Sequence, residues 1–395
     1  MSTGPGPWPA EDGGPARTQL ARGPVPVGTL AAVRDVAGAA MVIVRAPDEV
    51  YLYGSVLAAD STAWVERLDP GTLDPVARVE LAGGPWWPGG LAAHADGTMH
   101  LVHGRHAHRL SPTLEVLASA VLPRPRAHNS FVTLPDGRLV TKDLGLDRQE
   151  PAHLVVLDPE RLETVAEADA PEPSIARLSA LGDDVYLVGE DTIFRFRWDG
   201  RELTRDATWS FLYRTAPDQS YGWDPVLAGG HVWFLDNGEH TFAGSMLGQG
   251  VAAGPVHLVR VAIDDAADHE LVEVSGRAGG AVTNPPVYDA ARRIAVGYDS
   301  ANGVLAAFDF DRTLRPRWRR DLASAGHLLL YPDAGVLMAY DHRAVGEDVV
   351  FVDVESGAER ARVATGSAIQ SVVFPAADGA GAAYYVSFTC VARIT

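Results

Sequence analysis

The sequence predicts an all-β chain, a single-domain β-propeller of about eight four-stranded blades (seven is the alternative), closed by an N-terminal strand. Three observations predict it. A strand–turn–strand grammar recurs about every 40–50 residues, the period of four-stranded blades. The chain holds 40 Gly and 27 Pro, enough for many tight turns, and no long amphipathic helical stretch separates the strands, which excludes an α/β fold. The C-terminal repeat lacks one strand, and a ring must close without a free edge.

Each element follows in order. Residues 1–23, "MSTGPGPWPAEDGGPARTQLARG", lack a charged-then-apolar leader and read as a disordered lead-in, which leaves 24–395 for the propeller. "VPVGTLAAV" (Val25 to Val33) is the strand available for closure. Weaker repeats start at Ala40 and Gly90. Clear copies run from Ser130 to Ala168, Ala176 to Trp209 and Pro225 to Val274, followed by "PPVYDAARRIAVGYDS" and "HLLLYPDAGVLMAYDHR". After Gly366 only "IQSVVFPA", "AAYYVSF" and "CVARI" remain, so Val25 to Val33 should complete that blade from outside. Third strands end at Asp69, Asp158, Asp199 and Asp264, where a carboxylate caps the turn into the fourth strand.

Charge and cysteine narrow the function classes. Lys and Arg total 33 against 51 Asp and Glu, a formal net charge of −18, which disfavours nucleic acid and anionic membranes as partners. No apolar run approaches the roughly 20 residues that span a bilayer. Cys390 is the single cysteine, so neither an internal disulfide nor a thiolate metal cluster can form. A cytoplasmic protein, monomeric or weakly homo-oligomeric, is expected.

The polar residues gather in a pattern. In "RAHNSFVTLPDGRLVTKDLG" a hairpin opens with His128–Asn129 and closes with Lys142–Asp143. Loops between blades and loops between second and third strands open on the same face of a propeller, so all four belong to one mouth of the channel. The other repeats share the habit. Blade two opens with Trp86 and Trp87, and its second strand ends at His103 and His106. Blade five contributes Tyr221, Trp223 and Asp224, then Asp236 and His240. Asn284 opens blade six, whose second strand ends at Tyr298 and Asp299. His327 opens blade seven, with Tyr340 and Asp341 at the matching position, and Gln370 lies in the last repeat. Turns favour Asp, Asn and Gly but do not call for Trp, Tyr and His. Aromatic walls with a few convergent polar groups suit a small-molecule pocket. The apolar, Gly-rich insertion from Gly238 to Pro255 has the length of a lid, with Met246 and Leu247 placed to cover a ligand.

On this repeat grammar the chain resembles the broad propeller superfamily that includes quinoprotein-like, gluconolactonase-like and strictosidine-synthase-like proteins. The Trp-Asp signature of WD repeats is missing, since Gly222-Trp223-Asp224 and Trp198-Asp199-Gly200 stand at different places in their blades. The tryptophan-docking motif and vicinal cysteines of quinoprotein dehydrogenases are missing too, so PQQ and haem are not expected. Neither is a nucleotide, because no phosphate loop or dinucleotide fingerprint occurs. Fold resemblance alone does not identify a reaction.

Three chemistries fit the rim. Asn129, Asp224 and Asn284 each precede an innermost strand and offer oxygens of the kind Ca²⁺ accepts. Gluconolactonase-like propellers use a comparable set, and Asn129 is similar to their Asn-containing loop, although no Glu opens the first blade here. His103, His128, His240 and His327 resemble the four-histidine iron site of carotenoid-cleaving propellers in number but not in spacing or flanking motifs. Without metal, His128 with Asp143, or His240 with Asp236, could act as a general base, and Lys142 could hold an anion or oxyanion. The expected function is an enzyme acting on a small organic molecule by hydrolytic (lactone or ester) or general acid–base (lyase, isomerase or cyclase) chemistry. The alternative is a non-catalytic ligand-binding or protein-interaction propeller.

Overall fold

In a typical repeat the inner three strands are buried almost end to end and the fourth alternates. Ala39–Ala46, Glu49–Ser55 and Ala63–Leu68 are apolar on both faces, whereas Pro75–Leu81 exposes every second residue. The inner strands lie between neighbouring blades, so both faces need apolar cover, and only the outer strand meets water. The computed structural model describes residues 6–145 and 149–395.

These residues form eight four-stranded antiparallel sheets. Seven blades run outward from the axis in chain order: 39–81, 90–121, 132–169, 179–212, 226–273, 287–321 and 329–364. The eighth takes Ala376–Ala377, Ala383–Val386 and Cys390–Ile394 from the C-terminus and its outermost strand, Leu30–Asp35, from the N-terminal region. Val33 pairs with Ala392 and Asp35 with Cys390, so the two ends of the chain lock one blade. Eight blades, not seven, close the ring. The turn-capping acids are present: the Oδ1 atoms of Asp69, Asp158 and Asp199 each accept two backbone N–H groups of the following turn. In the fifth blade Asp265 takes the place of Asp264, its Oδ1 accepting the Ala267 N–H at 3.0 Å.

Residues 6–23, read from sequence as part of a disordered lead-in, instead fold into the channel. Trp8 exchanges two backbone hydrogen bonds with Val44 of blade 1, at 3.0 and 2.8 Å. Pro9, Pro15 and Ala16 carbonyls accept N–H groups from Ala93, Ala180 and Leu227 of blades 2, 4 and 5. Gln19 and Ala21 bond to Leu330 of blade 7. The innermost strand of every blade presents an unpaired edge to the axis, and such edges need partners. A short Pro- and Gly-rich segment cannot bury enough apolar surface alone, but these edges supply what it lacks. Gly90 makes room for it, because a Cβ there would stand 2.2 Å from Glu11 Oε1. Trp8, 1% exposed, joins the core of blades 1, 2, 7 and 8.

Candidate functional site at the channel mouth

Above the segment, one mouth of the channel holds a cavity of about 200 Å³. Connections between blades supply Trp86, Trp87, Arg177, Trp223, Asn284 and Phe374, and loops between second and third strands supply His240, Phe242 and Phe388. The one-sided rim expected from the repeats is thus where the aromatic residues meet. Trp86 stacks at a tilt against both Trp87 and Phe388, with ring centroids 6.3 Å apart in each case. Its indole N–H donates to Ser55 at 3.2 Å, which fixes the ring.

His240 stands in the wall, 6.1 Å from Trp223 between ring centroids. Its Nδ1 lies 2.7 Å from the Gly238 carbonyl, an acceptor, so the proton sits on Nδ1 and Nε2 keeps its lone pair. Burial holds its pKa below the usual histidine value. The other side of the ring borders a second cavity of about 230 Å³, lined by Tyr221, Glu190 and Glu239 among others.

Among the described residues, Arg177 is the single charged side chain lining the aromatic cavity. Its guanidinium carbon lies 4.4 Å over the Phe374 ring. Nε donates to Glu11 Oε2 at 2.9 Å and Nη2 to the Pro88 carbonyl at 2.7 Å. Behind it lies a buried ion network. Glu11 also accepts from Arg17 Nη2 at 2.7 Å, and Asp12 accepts from Arg17 Nη1 at 3.1 Å. Asp12 also contacts His327 Nδ1 at 2.7 Å. Burial alone would raise the Asp12 carboxyl, but His327 and Arg17 outweigh it and hold it below the usual range. Asp224 Oδ1 accepts the Arg177 backbone N–H at 2.7 Å. Lys142 Nζ donates to the Ser174 carbonyl at 3.0 Å, and burial pushes it down to about 7 against the pull of Asp143 and Asp224.

Asp12, Asp224 and His327 place ligand atoms within 4.8 Å of one another. Charged groups already surround them: the carboxylates of Glu11, Asp12 and Asp224 lie among Arg17, Arg177 and Lys142, with Asp143 also acting on Lys142. Calcium wants about six to eight oxygens. Here it would meet a histidine nitrogen and carboxylates already held by guanidinium and backbone donors. These residues do not fit calcium. Of the three expected oxygen ligands, Asn129 donates its amide N–H to Ile175 O at 2.9 Å, Asn284 donates to Ala325 O at 2.5 Å, and Asp224 accepts the Arg177 backbone N–H. Asn129 Oδ1, His327 Nε2 and Tyr298 Oη are buried without protein partners, positions suited to internal water.

The remaining sequence-selected residues divide clearly. Trp86, Trp87, Trp223, His240 and Asn284 line the cavity, and Tyr221 lines its neighbour. His128 and Asp143 meet through backbone pairing, not as an acid–base pair. His128 Nδ1 lies 3.2 Å from Arg126 O, and burial pushes its pKa down to about 3. Asp143 Oδ1 accepts the His153 N–H at 2.7 Å. Asp236 pairs with His257, not His240: it accepts His257 N–H at 2.6 Å and faces His257 Nδ1 at 2.8 Å. Asp299 and Asp341 likewise accept backbone N–H groups of Ala281 and Ala323, so second-strand acids tie loops down. His103 sits between Tyr53 and Ser61, at 2.7 and 2.8 Å, with burial holding it near 4. Tyr298 and Tyr340 are fully buried, raised well above the usual phenol value by burial.

Gln370 holds the long insertion. Its Oε1 accepts Met246 N–H at 2.6 Å, and its backbone N–H donates to Gly244 O at 2.8 Å. Met246 is buried with Ala281, Ala301 and Ala325 as an anchor, Leu247 is exposed, and Phe242 is the insertion's aromatic contribution to the cavity. Sequence reasoning missed Arg177, Phe242, Phe374, Phe388 and the N-terminal Glu11, Asp12 and Arg17. The signal for the last three was an acid pair and an arginine beside a lone tryptophan in an otherwise turn-like segment.

No protein-family model matches the chain, and no curated protein matches it. Solved structures do. BamB from Moraxella catarrhalis superposes with a TM-score of 0.62 at 12% identity, covering 93% of this chain and 100% of that one. The quinohemoprotein alcohol dehydrogenase ADHIIG from Pseudomonas putida HK5 gives 0.67 at 9% identity, covering 98% and 80%. Sqt1 from Chaetomium thermophilum gives 0.61 at 12%, covering 93% and 99%. At such identities the likeness is one of fold.

Proposed function

We propose that the chain binds a small, ring-bearing organic molecule in the aromatic cavity at the channel mouth. One observation carries this reading: six aromatic side chains from five separate connections and loops converge on a cavity whose arginine, Arg177, is held by Glu11 of the chain's own N-terminal segment. Pockets of this composition gain affinity by burying flat apolar surface, with few polar groups to orient the ligand. Screening small aromatic and alicyclic compounds by thermal shift tests it, with Trp223→Ala and Trp86→Ala as controls. Compounds that stabilise the parent chain and not these variants support the reading. Hits insensitive to both substitutions overturn it.

An enzymatic role is favoured by His240, a neutral imidazole of fixed tautomer whose Nε2 is free to take a proton. It would serve hydrolytic or general acid–base chemistry on the bound molecule. No step in this reading runs through calcium. A ligand-binding propeller without catalysis would keep binding in His240→Ala and show no turnover in either form. We further propose a cytoplasmic monomer that binds neither nucleic acid nor membrane, supported by the net charge of −18 and the single buried Cys390.

A further inference from the structure

We infer that the ligand is a ring-bearing carboxylate, anchored by Arg177, and that Glu11 from the N-terminal segment is the positioning residue that aims this guanidinium. The inference rests on the proposed ligand-binding role of the mouth and deepens it. Of the charged groups in the buried network, Arg177 alone among the described residues reaches the cavity wall, with Glu11 behind it. The positive end of the network thus faces the ligand. Nε and Nη2 are engaged with Glu11 and Pro88, and Nη1 makes no hydrogen bond among the described residues. Phe374 packs against the guanidinium carbon at 4.4 Å, which orients the plane. In an apolar cavity a guanidinium donor binds a carboxylate far more strongly than in water. Aromatic faces by themselves would also suit a cation. No carboxylate lines this cavity among the described residues, however, and Arg177 repels positive charge.

Glu11 matters because it comes from a part of the chain 166 residues away and takes the Nε donor, which with Nη2 on the Pro88 carbonyl leaves Nη1 for the ligand. A Gln in its place keeps the shape and one acceptor but loses the charge that fixes the arginine.

Isothermal titration of the full-length chain at pH 7 with cinnamate and 2-naphthoate, each against its methyl ester, tests this. The acids should bind at least tenfold tighter than the esters. Arg177→Met should reduce that ratio to about one. Glu11→Gln should narrow the ratio without abolishing ester binding, which a purely structural role would not do. Should Arg177→Met fail to fold, the acid-to-ester ratio of the parent chain still decides the carboxylate, and Arg177→Lys decides the anchor through loss of the ratio. Esters that match acids in the parent chain, or a ratio that survives removal of Arg177, overturn the inference while the ring-binding reading stands. If neither acids nor esters bind, or if both bind unchanged after Trp223→Ala, the underlying reading falls with it.

Discussion

Glu11 Oε2 lies 2.9 Å from Arg177 Nε, and both side chains are 4% exposed. The pair joins the N-terminal segment inside the channel to the connection that opens blade 4, so the segment holds the one arginine that lines the cavity among the described residues. Glu11 serves Arg17 as well, and burial raises its carboxyl against the pull of the two guanidiniums.

Removing that carboxylate should therefore cost more than its hydrogen bonds. Glu11→Ala leaves two guanidiniums buried without their shared counterion, a change of about 3–5 kcal/mol when a buried pair is broken. Urea unfolding should show a lowered midpoint, and trypsin should cut faster after Arg17 and Arg22. An unchanged midpoint and unchanged cleavage would mean that the segment contributes nothing to the folded state.

Gly90→Ala tests the same docking from the channel wall. The new Cβ would meet Glu11 Oε1 at 2.2 Å and Ser130 Cα at 2.8 Å, and the second is backbone that cannot step aside. Overpacking of this kind costs about 1–3 kcal/mol. Hydrogen exchange should rise first at amides whose partners lie in the segment, such as Ala93 and Ala180. Exchange that rises uniformly over all blades would count against local release.

Asp236→Ala should loosen blade 5 rather than remove a catalytic acid. It strips the acceptor from His257 N–H, His257 Nδ1 and Gln219 Nε2. Each donor left buried without a partner costs about 1–3 kcal/mol. Asp236 is also what raises His257 against the opposing effect of burial, so an NMR titration should find the imidazole pKa of His257 lower in this variant. An unshifted His257 would refute the pairing.

Two buried groups predict opposite pH slopes. Burial raises Glu347 to about 8, and Tyr385 donates to it. The folded state thus holds a proton that the unfolded chain releases near 4.3, and stability from this group is lost as pH rises from about 4.5 to 8. Lys142 is the reverse. Its folded value of about 7 lies below the unfolded value near 10.4, so the folded chain holds fewer protons between them and stability rises with pH over that window. Each contributes a limiting slope of about 1.4 kcal/mol per pH unit. In chemical denaturation across pH 5–10, Glu347→Gln should flatten the acid-side decline and Lys142→Met the alkaline-side rise. Slopes identical to the parent chain's would show that neither group is shifted.

Repeat period, turn chemistry and the missing last strand determined the propeller and its closure by residues near Val33, because those features are local and recur, while the structure decided eight blades over seven. The one-sided rim was legible for the same reason: one blade geometry places every connection of a given type on one face. That rule put Trp86, Trp87, Trp223, His240 and Asn284 at the mouth. It could not say which rim residues turn inward. His103, Asp143 and Asp236 have the spacing of site residues, yet tie neighbouring strands and loops together, since a buried loop must satisfy its N–H groups somewhere. Tertiary structure alone decided the fate of residues 6–23. Their composition cannot hold a fold by itself, but eight inner strand edges around an empty axis give them hydrogen-bond partners, and only the closed ring brings Glu11 to Arg177.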